Sequence, residues 1–148
     1  EEEDIVYETR FNIPFLTKRI KTVTKWLTEQ KSTKNLKMGY FGASTGAAAA
    51  LVAAAELSSR IKAIVSRGGR PDLAMEHLSK VKSPTLLIVG GNDLEVLAMN
   101  QVALEKLTTV KKLEIVPKAT HLFEEPGTLE EVAHLAAKWF KQYLISLK

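Results

Sequence analysis

Apolar residues recur at helical spacing through residues 13–29, where Leu16, Ile20, Val23 and Leu27 share one face and charged residues hold the other. Pro14 suits a first helical turn, so the pattern predicts an amphipathic surface helix. Residues 36–41 form a short apolar run closed by glycine, which reads as a buried strand. Alanine dominates residues 45–57, and its high helix propensity and small volume suit a helix lying close against a sheet. Further strand-like runs occupy 61–66, 85–89 and 113–116; the first two end near paired glycines and the last is stopped by Pro117. Helical patterns separate them at about 71–79 and 97–107. Thr128 and Glu131 stand at capping-box spacing before the last helix, whose apolar stripe is Leu129, Val132, Ala136, Phe140 and Tyr143.

Continuous apolar strands that alternate with helices imply an α/β fold, a parallel sheet covered on both faces. No repeat, low-complexity tract or linker interrupts the pattern, so residues 1–148 read as a single domain. In such sheets functional groups gather where the chain leaves the carboxyl ends of the strands. A proposed site must therefore draw its residues from positions just after strands.

Composition narrows the chemistry. The chain has 148 residues, 45% hydrophobic and 26% charged, enough to bury a core without a disulfide or metal staple. With no cysteine there is no disulfide frame, no thiolate nucleophile and no Cys-based metal centre. No apolar run approaches the ~20 residues that span a bilayer, and the acidic amino terminus lacks the layout of a signal peptide, so a cytoplasmic location is expected. The net charge of +4 comes from scattered lysines without a Lys/Arg stripe and interleaved aromatics, which argues against nucleic acid as a partner. A small-molecule substrate is expected, with no membrane partner, no cofactor and no metal. The opening Glu1-Glu2-Glu3-Asp4, without an initiator methionine, is what a piece of a longer protein would show.

Gly42-Ala43-Ser44-Thr45-Gly46 matches G-x-S-x-G and falls between the first strand and the alanine-rich helix. A sharp strand-to-helix turn there would lift Ser44 above the sheet edge, with the glycines leaving room for the backbone. It would also set the Thr45 N–H at a helix amino terminus, able to donate to a developing oxyanion. The competing explanation is a glycine-eased helix start with a capping serine.

A serine hydroxyl needs a base to become a nucleophile. His121 falls in the loop between the last strand and the last helix, whereas His77 and His134 lie within helical patterns and are assigned no role. The third member must be a carboxylate that holds the imidazole. Asp93 follows the strand 85–89 through a Gly-Gly-Asn turn and satisfies the chain order Ser, Asp, His. Asp72, which also reads as a helix-start residue beside Pro71, is the fallback, and Glu95 a further candidate.

The stretches 39–50, 65–74, 84–93 and 119–127 resemble the dienelactone hydrolase branch of the α/β-hydrolases, in particular small serine-bearing members sometimes fused to phosphoribosyltransferases. The resemblance covers nearly the whole chain and implies its carboxyl-terminal part of the fold. Dienelactone hydrolases proper carry cysteine where Ser44 stands, so their lactone substrate does not transfer. The resemblance also implies about four more strands before the first helix seen here. A loop after one of them supplies the second oxyanion donor, and nothing in residues 1–12 resembles that loop.

Ser66-Arg67-Gly68-Gly69-Arg70 follows the second strand, where Arg67 or Arg70 could clamp a substrate carboxylate or phosphate. Alternatively either arginine pairs with Asp72 or a glutamate and holds the loop. Two functions of different classes follow. The first is a serine hydrolase cleaving an ester, thioester or lactone of a small molecule through an acyl-enzyme, with Ser44, His121 and Asp93 as its triad. The second is a non-catalytic module that acts through a partner or fused domain. If the family's strand order holds, the strand 36–41 borders one that this chain lacks. Its edge, from Leu36 through Met38 and Tyr40 to Phe41, is then expected to be covered by a missing amino-terminal segment, a second copy in a homodimer, or a rearranged amino-terminal helix.

Overall fold

The computed structural model describes residues 11–145, so the acidic opening Glu1 to Asp4 lies outside them. Helix α1 (Ile13–Glu29) leads into strand β1 (Met38–Ala43), helix α2 (Thr45–Leu57) and strand β2 (Ile61–Arg67). A 3-10 stretch (Pro71–Lys80) precedes strand β3 (Thr85–Gly90), helix α3 (Leu94–Lys106), strand β4 (Lys111–Val116) and helix α4 (Thr128–Leu144). The strands are all parallel, in the order β1-β2-β3-β4.

A sheet that grows in one direction by right-handed crossovers carries all its crossovers on one face. That face packs Leu51 and Val52 of α2, Leu78 of the 3-10 stretch and Ala103 of α3 against Ile64 and Leu87. The neighbouring strand positions Ala63, Val65, Leu86 and Ile88 point the other way, onto Val132, Ala136 and Trp139 of α4. Burial on both faces is why these strands read as unbroken apolar runs. The Trp139 indole N–H donates to the Pro84 carbonyl at 3.2 Å, so its ring is buried without an orphaned donor. Truncating such a side chain to alanine costs about 3 to 5 kcal/mol.

Several local expectations are corrected. β1 begins at Met38 rather than at residue 36, leaves Leu36 outside the sheet and, among the described residues, is a half-exposed edge rather than a buried strand. The 71–79 helix is a 3-10 stretch whose bonds close after three residues, as Leu73 N–H to Arg70 O illustrates. Thr128 is the first residue of α4 rather than its cap. Gly127 is the cap, at φ +80°, and the Thr128 hydroxyl turns back to the Glu125 carbonyl at 2.8 Å.

In α1 the buried residues are Thr17 and Thr24, and Val23 of the apolar stripe is 57% exposed. Thr24 is drawn inward by polar bonds. Its hydroxyl donates to the Ile20 carbonyl at 2.8 Å and shares a hydrogen bond of 2.6 Å with the Tyr40 hydroxyl, in which either oxygen can donate. Ile20, Val23 and Leu27 instead line a groove of about 390 Å³ beside Met38 and Tyr40 of β1. The two edges of the sheet differ in chemistry. β4 carries Lys111 and Lys112, charges that discourage a further strand, whereas β1 carries no charged residue. Among the described residues no helix is long and apolar enough to cross a membrane.

Candidate active site

Strand register aligns the ends of the sheet. Ala43 lies beside Arg67, Arg67 beside Ile88, and Gly90 beside Val116, so the chain leaves all four strands along one edge. Ser44, the loop 67–70, Asp93 and His121 all follow there.

Ser44 takes φ 51° and ψ −124°, a conformation that costs a residue bearing a side chain about 1 to 3 kcal/mol. The surroundings hold it in place. Its N–H donates to the Arg67 carbonyl at 3.3 Å, and its own carbonyl accepts from Ala47 N–H at 3.2 Å and Arg70 N–H at 3.1 Å. Although Ser44 occupies the cap position of α2, its hydroxyl makes no capping bond. The turn is tight on one side only. A Cβ at Gly42 would fall 2.7 Å from the Ala47 Cα, while one at Gly46 would meet nothing within 4 Å.

Asp93 likewise sits at the cap of α3 without capping it. Its Oδ2 lies 2.7 Å from the Nδ1 of His121, and its side chain is only 13% exposed. An ionised carboxylate can only accept, so Nδ1 carries the proton in that bond, and in the neutral imidazole Nε2 is then the nitrogen with the free lone pair. The loop that carries His121 is pinned at both ends. Asn92 N–H donates to the Ala119 carbonyl at 3.0 Å, and Thr120 N–H donates to Glu125 Oε1 at 3.0 Å, joined by the Thr120 hydroxyl. The Thr120 hydroxyl first, then the backbone N–H of Glu125 itself and that of Thr120, hold the Glu125 carboxyl below its ordinary pKa.

Ser44, Thr45, Arg67 and His121 line one pocket of about 270 Å³, together with Phe11 and Leu122. Arg67 lies 5.4 Å from the centroid of the Phe123 ring and has no ion-pair partner among the described residues. Arg70 is different. Its Nε and Nη2 grip the Asp72 carboxylate at 3.0 and 2.8 Å, and that hydrogen bonding raises the guanidinium pKa above its ordinary value. Asp72 is thereby engaged away from His121, and Glu95 is exposed on α3. His77 is half-buried and His134 exposed; neither lines this pocket. Sequence reading missed Phe11, Leu122 and Phe123. Two adjacent apolar residues in a loop directly after His121 were the available signal for the last two. Among the described residues no group of three or more His, Cys, Asp or Glu side chains is placed to hold a metal ion.

The sequence profile of the dienelactone hydrolase family matches residues 9–146. The chain belongs to the dienelactone hydrolase family. A crystal structure of a dienelactone hydrolase from Anabaena variabilis is 59% identical, with a TM-score of 0.92 over 97% of this chain and 68% of that one. Proteins from two strains of Mycobacterium tuberculosis that carry the name phosphoribosyl transferase are 57% identical over 134 residues, 90% of this chain and 30% of theirs. The chain thus spans under a third of the length of these curated relatives, which fits its resemblance to fused members. A dienelactone hydrolase-like promiscuous phosphotriesterase from metagenomic libraries shares the fold at 16% identity, with a TM-score of 0.74 over 95% of this chain and 66% of that one. Within the dienelactone hydrolase family, this chain has serine at the strand-to-helix turn.

Proposed function

We propose that this chain carries the catalytic centre of a serine hydrolase that cleaves an ester, thioester or lactone of a small molecule. One observation carries the reading: an uncapped Ser44 shares a pocket with an imidazole whose far nitrogen is bonded to Asp93. As Ser44 Oγ attacks the substrate carbonyl, His121 Nε2 takes the hydroxyl proton and Asp93 stabilises the imidazolium. The tetrahedral oxyanion faces the Thr45 N–H at the start of α2. Collapse breaks the bond to the leaving group, which receives the proton from His121 and leaves an acyl-Ser44. Water, deprotonated by the same nitrogen, then releases the acid. Arg67 takes the substrate-binding role, while Arg70 holds the loop through Asp72. We assign the reaction to the cytoplasm, as the composition supports.

Hydrolysis of a short-chain aryl ester by the whole protein tests this assignment. Ser44→Ala is expected to lower turnover by a factor on the order of 10³ or more. Undiminished turnover in a folded Ser44→Ala protein would exclude the mechanism.

Association through a partner is a second reading, favoured by the groove between α1 and β1 and by the uncharged β1 edge. It need not compete with catalysis. We infer that a further strand pairs with β1, supplied by flanking polypeptide in the whole protein or by a second copy of this chain.

A further inference from the structure

Among the described residues no hydrogen bond joins Ser44 to His121, so the backbone around them sets their approach. The loop 67–70 touches both residues. Through the Arg67 carbonyl and the Arg70 N–H it grips the Ser44 peptide from two sides. Gly68, at φ +52°, backs the imidazole; a Cβ there would lie 3.4 Å from His121 Nδ1 and Cε1. Gly69 is wedged against the start of α2, where a Cβ would meet Ser66 Oγ at 2.0 Å and Ala47 Cβ at 2.9 Å.

The Gly69 carbonyl is held by a single side chain. Asn100 Nδ2 donates to it at 3.1 Å and gives its other hydrogen to the Val96 carbonyl at 2.7 Å. The amide is fully buried, and its orientation is fixed because Oδ1 in that place would face two carbonyl oxygens. Oδ1 itself is buried without a partner among the described residues. Burial of that oxygen costs stability that a leucine of similar size would not, so packing does not explain an asparagine here. Asn100 also stands on α3, two turns after Asp93 at its cap. One helix therefore holds His121 at its start and, through Gly69, the loop that holds Ser44.

We propose that Asn100 is a positioning residue for the nucleophile and its base, acting through the Gly69 carbonyl and the loop 67–70. The proposal rests on the serine-hydrolase reading. A shift of about 1 Å in such a pair can cost 10²-fold in rate, which sets the scale of the expected effect.

The test uses the whole protein with p-nitrophenyl acetate and a fluorophosphonate probe. Asn100→Leu is expected to lower both kcat and the labelling rate roughly 10²-fold, with KM within about twofold of the parent. Ala103→Gly, a destabilising change on the same helix, should lower the unfolding temperature and leave both rates as they are. Should Asn100→Leu fail to fold, Asn100→Asp serves instead. Its carboxyl can donate to Gly69 only while protonated, so its rate relative to the parent should fall as pH rises through that titration. Parental rates in a folded Asn100→Leu protein, or a pH-independent ratio for Asn100→Asp, would overturn the proposal. Loss of labelling in Ser44→Ala alongside parental rates in Asn100→Leu would reject this role and leave the hydrolase reading standing. Full labelling of Ser44→Ala would reject both.

Discussion

The Nδ1 of His121 lies 2.7 Å from the Oδ2 of Asp93, 28 positions earlier in the chain. That bond divides the two candidate aspartates, because Asp72 is gripped by Arg70 through two hydrogen bonds of its own. Asp93→Asn is expected to lower turnover by roughly 10² to 10⁴, since an amide in place of the carboxylate favours the wrong imidazole tautomer. Asp72→Asn should change turnover little. Steady-state kinetics on both variants checks the assignment, and the opposite ranking would move the acid to the end of β2.

The arginines separate in the same way. Arg67 lines the pocket, whereas Arg70 is tied to Asp72. Arg67→Ala is expected to raise KM for an ester bearing a carboxylate or phosphate several-fold more than for a neutral ester of similar size. Arg70→Ala should shift both substrates alike. Equal effects of Arg67→Ala on both esters would leave it a structural role over Phe123.

Tyr40 provides a dependence on pH. Burial raises its pKa above the ordinary value of about 10, and the bond to Thr24 pulls the other way. A group whose folded-state pKa is raised contributes stability that is fully present below its unfolded value and lost as pH rises through the folded value. Stability should therefore fall as pH climbs above about 10, and Tyr40→Phe should flatten that fall. Urea midpoints of parent and variant across this range give the comparison; parallel curves would remove Tyr40 as the cause.

The uncharged β1 edge bears on assembly. If a further strand covers that edge, its amides exchange slowly in the whole protein. Light scattering then distinguishes a dimer from a monomer covered by its own flanking chain. A monomer with fast exchange from Met38 to Ala43 would show the edge to be bare.

Much of this was legible beforehand, for identifiable reasons. Strands buried on both faces leave long apolar runs, and residues at strand ends fall along one edge by topology alone, so the position of Ser44, Asp93 and His121 at that edge follows from the sequence. The rotation of α1 was not legible. Leu16, Ile20, Val23 and Leu27 do form a stripe, but Thr17 and Thr24 are the buried positions, and Thr24 pairs there with the Tyr40 hydroxyl. Nor could spacing show which arginine stays free. That depends on whether a guanidinium reaches Asp72, two residues beyond Arg70 and five beyond Arg67. Nothing in the spacing singles out Asn100, because its partner is a carbonyl 31 residues away.

Reaction of the whole protein with a fluorophosphonate, followed by peptide mapping, tests the central claim without knowledge of the substrate. An activated serine forms a covalent phosphonyl adduct at its oxygen. The account predicts one adduct on Ser44, formed at a rate that falls sharply in His121→Ala. An unmodified Ser44 in the folded protein, or labelling undiminished in His121→Ala, would contradict it.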